Sequence, residues 1–119
     1  MSDVAPDAFV ADCPTRGIVA RLAEKWTMLT LAALMAGPMR FGALRRRIEG
    51  VSQKMLTKTL RNLEDDGLVL RQVFDERPLR VEYSLTPLGA GCAVLVNDIK
   101  RWAEHNMHAI QRHNRARDG

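Results

Sequence analysis

The feature of this sequence that most restricts its fold is a change of hydrophobic period at Gly67. Ahead of this glycine, apolar residues recur three and four positions apart, which predicts α-helices. From Leu68 to Phe74 and again from Arg80 to Leu85, apolar and polar residues alternate, which predicts two β-strands. Helical spacing returns after Thr86-Pro87, a hydroxyl N-cap followed by a proline at the first helical position. The pattern predicts an α+β fold, mostly helical, with one β-hairpin before a long final helix.

Four helical segments are predicted before the hairpin. The first runs from Thr15 to Lys25, and the second, largely buried, runs from Trp26 to Met35. A short third helix from Phe41 ends at Gly50, and a fourth runs from a Ser52 N-cap to Asp66. Two short helices separated by a tight turn and followed by a hairpin predict a winged helix-turn-helix, with a wing of two to three strands.

The fourth predicted helix has a basic face. With Leu56 and Leu60 at the centre of the buried side, the cations fall on the opposite side at about 100° per residue. Cations bind phosphates, whereas amides and hydroxyls can read base edges. The candidate DNA-contacting residues of this helix are Ser52, Gln53, Lys54, Thr57, Lys58 and Arg61. Their position inside a helix-turn-helix predicts binding of double-stranded DNA, and the net charge of +4 agrees with a polyanionic partner.

Further candidate contacts flank this helix. Arg40 lies just before the preceding helix, and Arg45 and Arg46 lie within it. The tip of the hairpin supplies Arg77 and Arg80. For the two turn arginines, a merely polar turn is an equal alternative. A basic face can also be only a solvated face, and the alternative function is a winged-helix module that binds protein without DNA.

The final helix carries an apolar seam. Its members, spaced alternately four and three positions apart, are Leu88, Cys92, Leu95, Ile99 and Trp102. Such a seam is too long for one small domain to cover, so we expect it to pack against the first helix and a second subunit. The predicted dimer interface comprises Ile18, Leu22, Leu95, Ile99 and Trp102. The alternative is a core within one chain only.

The chain length supports one domain. We expect residues 1–12 to form a flexible arm, residues 13–113 a single domain for DNA binding and dimerisation, and residues 114–119 a polar tail. Two cysteines cannot form a disulfide framework, and no apolar run is long enough for a membrane. The acidic first residues, without an apolar run behind a basic start, argue against a secretory signal. We therefore expect a cytoplasmic protein.

Several motifs resemble the HxlR-type family of winged-helix regulators over Cys13 to Trp102. They are Cys13-Pro14, Glu24 to Thr27, Gly37 to Arg45, Val51 to Thr57, Leu60 to Glu64, Asp66 to Val69 and Val81 to Gly89. The resemblance implies a MarR-like homodimer that acts as a transcriptional repressor or activator. We expect repression in preference to activation, and an operator that is an inverted repeat. The resemblance also implies the same DNA contacts on the fourth helix.

Cys13 has two interpretations. A helix N-terminus and the neighbouring Arg16 would lower the pKa of its thiol, and some members of the resembled family sense oxidants or electrophiles at this Cys-Pro position. Equally, Cys13 can be a small residue that packs the first helix. Cys92, within the apolar seam, is predicted to be structural.

No other chemistry is predicted. The spacing of His105, His108 and His113 favours a polar tail over a metal site, because no other ligand converges on them. The sequence lacks a phosphate loop and a catalytic triad, so we expect no metal, no cofactor and no enzymatic activity. An effector molecule cannot be named from these residues.

Overall fold

A computed structural model describes residues 5–118 of the chain. These residues form five helices and a two-stranded antiparallel sheet. The elements are α1 (Pro14–Leu22), α2 (Lys25–Leu34), α3 (Phe41–Arg47), α4 (Gln53–Asp65), β1 (Val69–Phe74), β2 (Arg80–Leu85) and α5 (Pro87–Asp118). The order confirms the predicted winged helix-turn-helix.

The core lies between α2, α4 and the first half of α5. Leu31 and Leu34 of α2 meet Leu44 of α3 and Leu56 of α4, all of them almost wholly excluded from solvent. The inward stripe predicted for α4 is confirmed, since its buried residues are Leu56, Thr59, Leu60 and Leu63. This burial fixes the rotation of α4 and leaves its opposite face in solvent.

The wing is the β1–β2 hairpin. Its register pairs Val69 with Leu85 and Phe74 with Arg80. Met39, just ahead of α3, adds a one-residue bridge to Tyr83, with backbone N–H to carbonyl distances of 2.9 and 2.8 Å. The sheet therefore has two strands and a single bridge, within the two to three strands predicted.

A compact junction joins the wing to α4 and α5. The Thr86 hydroxyl donates to the Gly67 carbonyl at 2.6 Å and accepts from the Gly89 N–H at 3.0 Å. Gly67 has a φ of +76°, a conformation that glycine adopts without strain. Gly89 is buried against the Leu68 carbonyl, where a β-carbon would collide. The position of the wing is thus tied to the start of α5.

Some boundaries differ from the sequence-based expectation. α1 ends at Leu22 and not at Lys25, because Glu24 caps α2 by accepting the Thr27 N–H at 3.0 Å.

On α2, the threonines Thr27 and Thr30 are buried, whereas Trp26, predicted to be buried, is only half-buried. Leu29 and Ala32, also predicted to be buried, are only half-buried as well.

The ends of the chain bear on the expected domain limits. α5 passes residue 113 without interruption and continues to Asp118. Residues 1–4 of the expected arm lie outside the described residues. Residues 8–12 form turns, and the Arg16 guanidinium donates to the carbonyls of Ala8 and Phe9 at 3.1 and 2.9 Å. The division into arm, domain and tail stays a prediction.

Candidate nucleic-acid interface

The exposed side of α4 begins at a well-formed helix N-terminus. Gly50, with a φ of +93°, reverses the chain after α3. The Ser52 hydroxyl accepts the Met55 N–H at 3.0 Å and caps α4. One Ser52 lone pair is committed to the cap, and its hydroxyl proton stays available to a partner outside the helix.

Six side chains of α4 share one shallow, solvent-facing surface, which we call the α4 face. They are Gln53, Lys54, Thr57, Lys58, Arg61 and Asn62. All six residues are exposed. Within residues 5–118, the cations Lys54, Lys58 and Arg61 have no ion-pair partner. The structure therefore brings five of the predicted contact residues together on one surface, and the three cations among them carry uncompensated charges.

Asn62 is a member of this face that sequence reasoning missed. Its position four residues after Lys58 places it on the same side of the helix, and this spacing was the available signal. The Thr57 hydroxyl proton is not free to bond a base, because it is donated to the Gln53 carbonyl at 2.8 Å. The exposed methyl group of Thr57 then suits an apolar contact such as the methyl group of thymine.

One of the three acids at the end of α4 pairs with α1. Arg21 donates to both carboxylate oxygens of Asp66 at 3.0 and 3.4 Å. Because both groups are partly exposed, this pair is worth at most about 1 kcal/mol. The guanidinium of Arg21 nevertheless compensates the negative charge of Asp66 at the end of the helix that carries the α4 face.

The arginines around α3 are all exposed. Arg40 is the N-cap residue of α3, and Arg45 and Arg46 lie in its last turn. Arg47 lines a cleft formed with α2 and α5. The first three remain candidates for phosphate contacts, and nothing in the geometry assigns them a base.

The two wing arginines have different environments. Arg80 donates to Glu82 and to Glu76 at 3.0 Å each, and its guanidinium carbon lies 3.9 Å from the centre of the Phe74 ring. Its side chain is only 26% exposed. The side chain of Arg77 is 87% exposed, with Asp75 at 3.3 Å. Arg77 is therefore available to a phosphate, whereas the charge of Arg80 is already matched by two carboxylates.

A continuous apolar surface lies away from the α4 face. On α5, Leu88 and Leu95 are each 66% exposed, Trp102 is 61% exposed, and Ile99 is also exposed. Cys92, predicted in the same seam, is half-buried and packs against the core. α1 has no buried residue, and its Ile18 is exposed, whereas Leu22 packs against the core cluster.

Cys13 is the N-cap residue of α1 and is partly exposed. Its pKa is lowered first by the hydrogen bond from the Asp7 N–H to sulfur at 3.3 Å and then by hydrogen bonding with the side chain and N–H of Thr15; in the thiol form the sulfur donates to the Thr15 hydroxyl oxygen at 3.3 Å. Arg16, expected to lower this pKa, instead binds the carbonyls of the preceding turn. Burial raises the pKa of Cys92. The two thiols thus differ in acidity.

Residues 5–118 lack two features that would point to other functions. In this part of the chain, no three His, Cys, Asp or Glu side chains gather as a metal site would require. No helix described there has the length and apolar character needed to cross a bilayer.

A helix-turn-helix with a basic exposed second helix, a hairpin wing and a tight helix–wing junction defines a winged-helix DNA-binding protein. A sequence profile of the HxlR-like helix-turn-helix family matches residues 21–111, and the chain belongs to that family. It is a DNA-binding transcriptional regulator, and its family is not a class of enzymes.

Individual relatives agree with this assignment. The HTH-type transcriptional regulator YtfH of Escherichia coli K12 is 42% identical over 102 residues, which are 86% of this chain and 81% of that protein. The structure of the transcriptional regulator YtfH from Salmonella typhimurium superposes with a TM-score of 0.87 at 37% identity, covering 93% of this chain and 99% of that one. The redox regulator HypR in its oxidised form gives a TM-score of 0.73 at 37% identity, covering 79% and 97%.

Proposed function

We propose that this regulator is a homodimer that inserts the α4 face of each subunit into successive major grooves of an inverted-repeat operator, acting as a repressor. The observation that carries the proposal is the α4 face itself. It places three exposed cations beside amide and hydroxyl groups on the side of α4 opposite its buried stripe. Cations supply affinity through phosphates, and the amides supply base readout.

The apolar surface of α5 supports the dimer. Leu95, Ile99 and Trp102 expose more than half of their surface in a single subunit, on a helix about 48 Å long at 1.5 Å per residue. A contiguous exposed apolar seam of this kind marks a protein interface. A second copy of the chain is the proposed occupant, because α1 and α5 both expose large apolar side chains and closed two-fold assemblies are the commonest oligomers.

The test is the salt dependence of binding to duplex DNA. Replacement of both Lys58 and Arg61 by alanine removes two exposed cations, so affinity should fall and the salt slope should flatten by about two, since each phosphate contact contributes about 0.9. Arg117→Ala, which removes one charge from the last turn of α5, is the control and should bind like the wild type.

Wild-type affinity in the Lys58→Ala/Arg61→Ala double variant would refute the assignment of the α4 face. Binding of the wild type to a protein partner with no salt-dependent binding to duplex DNA would instead support an interaction module. Gln53→Ala and Thr57→Ala should change sequence preference more than salt dependence, because these groups carry no charge.

A thiol response is the second part of the proposed function. Hydrogen bonds to the Cys13 sulfur favour its thiolate, which is the reactive form, and the similar protein HypR is named a redox regulator. We propose that modification of Cys13 at the start of α1 changes operator affinity by disturbing the packing of α1 against the second subunit.

A further inference from the structure

A cavity of about 310 Å³ lies between α4 and α1 and has no role in the function proposed above. Its walls are the end of α1, the first turn of α2 and one flank of α4. The flank follows a single helical stripe and comprises Met55, Lys58, Thr59, Asn62, Leu63 and Asp66. Because α1 contributes no buried residue, its contact with α4 is not closely packed. The volume falls in the range of small-molecule sites.

The cavity has apolar walls on both sides. Ala20 and Leu22 line it from α1, and Met55 and Leu63 line it from α4. The stripe from Met55 to Asp66 spans about 16 Å at 1.5 Å per residue, so the cavity follows α4 over roughly this length. An occupant would gain hydrophobic stabilisation along this length.

The charged groups of the cavity differ in what they already bind. Arg21 and Asp66 pair with each other at 3.0 Å and close one end. Glu24 accepts the N–H and hydroxyl of Thr27 at 3.0 and 3.3 Å as the cap of α2. Lys58 has neither an ion pair nor a side-chain hydrogen bond among residues 5–118, so it is the cation of the cavity that is open to a ligand, whereas Glu24 is bonded to neutral groups and keeps its negative charge.

Lys58 also belongs to the α4 face, so one side chain borders both the cavity and the surface proposed to bind DNA. We propose that the cavity is an effector site for a small organic monocarboxylate with an apolar body, whose carboxylate pairs with Lys58. The effect on DNA rests on the proposed function. Because effector and phosphate compete for the same ammonium group, each weakens the binding of the other by the same factor.

The first experiment measures ligand binding by the free protein. The probes are 3-phenylpropionate and its neutral analogue 3-phenylpropionamide, titrated at millimolar concentration by calorimetry. The acid should bind at least tenfold more tightly than the amide, because hydrogen bonds to charged groups are the stronger ones. Lys58→Gln should abolish this difference between the two probes.

A second variant tests the location. Ala20→Leu fills the cavity from α1 without touching the α4 face, and it should weaken binding of the acid at least tenfold. Ala116→Leu, the same change on an exposed position of α5, should bind like the wild type. In a DNA titration, 3-phenylpropionate should lower the affinity of the wild type and leave that of Ala20→Leu unchanged.

Equal binding of acid and amide, unchanged binding in Ala20→Leu, or no binding by the wild type would each overturn the proposal. The last result is also expected if the second subunit of the dimer fills the cavity. If Ala20→Leu fails to fold, the comparison of acid and amide in Lys58→Gln still decides. If the wild type does not bind duplex DNA even without a probe, only the proposed function is refuted. The effector site would still stand or fall by calorimetry on the free protein, which does not involve DNA.

Discussion

The chemistry of single residues in this protein depends on which of their atoms are already bonded. The Cys13 sulfur accepts a hydrogen bond from the Asp7 N–H ahead of α1, and the bonds that it makes with Asp7 and Thr15 lower the pKa of its thiol. The Arg80 guanidinium is less available to a DNA phosphate, because it already pairs with two carboxylates and lies over an aromatic ring. The same residue types elsewhere on the chain, Cys92 and Arg77, have different partners and should behave differently.

The first prediction concerns the reactivity of Cys13. Since its pKa is lowered, the thiolate predominates above that pKa, and the rate of alkylation should reach half its maximum below the free-thiol value of about 8.5. Thr15→Val removes the hydroxyl bonded to sulfur and should move this midpoint upward. The measurement is the iodoacetamide rate against pH, with Cys13→Ser reporting the background from Cys92.

The functional readout is operator affinity before and after treatment with a quinone or hypochlorite. The wild type should lose affinity and Cys13→Ser should keep it. If the wild type keeps its affinity, or if Cys13 titrates at or above the free-thiol value, Cys13 has only a packing role.

The second prediction separates the two wing arginines. Arg77→Ala should weaken DNA binding and reduce the salt slope by about one, because an exposed cation is lost. Arg80→Ala should leave Glu76 and Glu82 unmatched and destabilise the wing, whereas Arg80→Lys should restore only part of the pairing. Binding titrations and thermal unfolding of the three variants provide the test. A loss of salt slope in a folded Arg80→Ala variant as large as that in Arg77→Ala would show that Arg80 contacts phosphate directly.

At the scale of the elements, the helix faces could be predicted from sequence and the partners of individual side chains could not. The buried stripe of α4 follows from local periodicity, and its Ser52 cap follows from residue type. Strand alternation placed Arg80 and Glu82 on one face, but the contact of Arg80 with Phe74 depends on the hairpin register, which the sequence leaves open. The pair between Arg21 of α1 and Asp66 joins residues 45 positions apart, which local periodicity cannot predict.

The third prediction concerns the junction of the wing with α5. Gly89→Ala places a β-carbon against the Leu68 carbonyl, so unfolding should become easier by about 1–3 kcal/mol, as expected for overpacking. Gly91→Ala is the matched control, because a β-carbon there meets open space. It should stabilise α5 by about 0.5–1 kcal/mol through its higher helix propensity. Equal unfolding free energies for the two variants, measured in urea, would contradict the tight junction.

The whole molecule has two surfaces with different proposed partners, and the distance between two α4 faces depends on how the apolar surfaces pair. A single subunit leaves the α5 seam uncovered, so the dimer should be needed for stable binding to an operator with two half-sites. Changes in the seam should therefore act on DNA affinity without touching a DNA contact.

The fourth prediction tests this coupling. Leu95→Asp places a charge in the seam and should weaken dimerisation at least a hundredfold, about 3 kcal/mol by the standard conversion. Val94→Asp introduces the same charge one position away, about 100° around the helix, and should remain dimeric. Sedimentation velocity measures the assembly, and circular dichroism checks that both variants fold. A dimer of wild-type stability in Leu95→Asp would locate the interface elsewhere.

The last prediction is about operator geometry. In a two-fold dimer the paired α4 helices have a fixed separation, and entry into successive major grooves requires half-site centres about one helical turn apart, roughly 34–36 Å. Selection of bound duplexes from a random pool should return inverted repeats with this spacing. Insertion of half a helical turn between the half-sites turns one groove to the far side of the duplex, so affinity should fall to that of a single half-site. If the lengthened operator, or one half-site alone, binds with the affinity of the original, the two α4 faces do not bind DNA as a rigid pair.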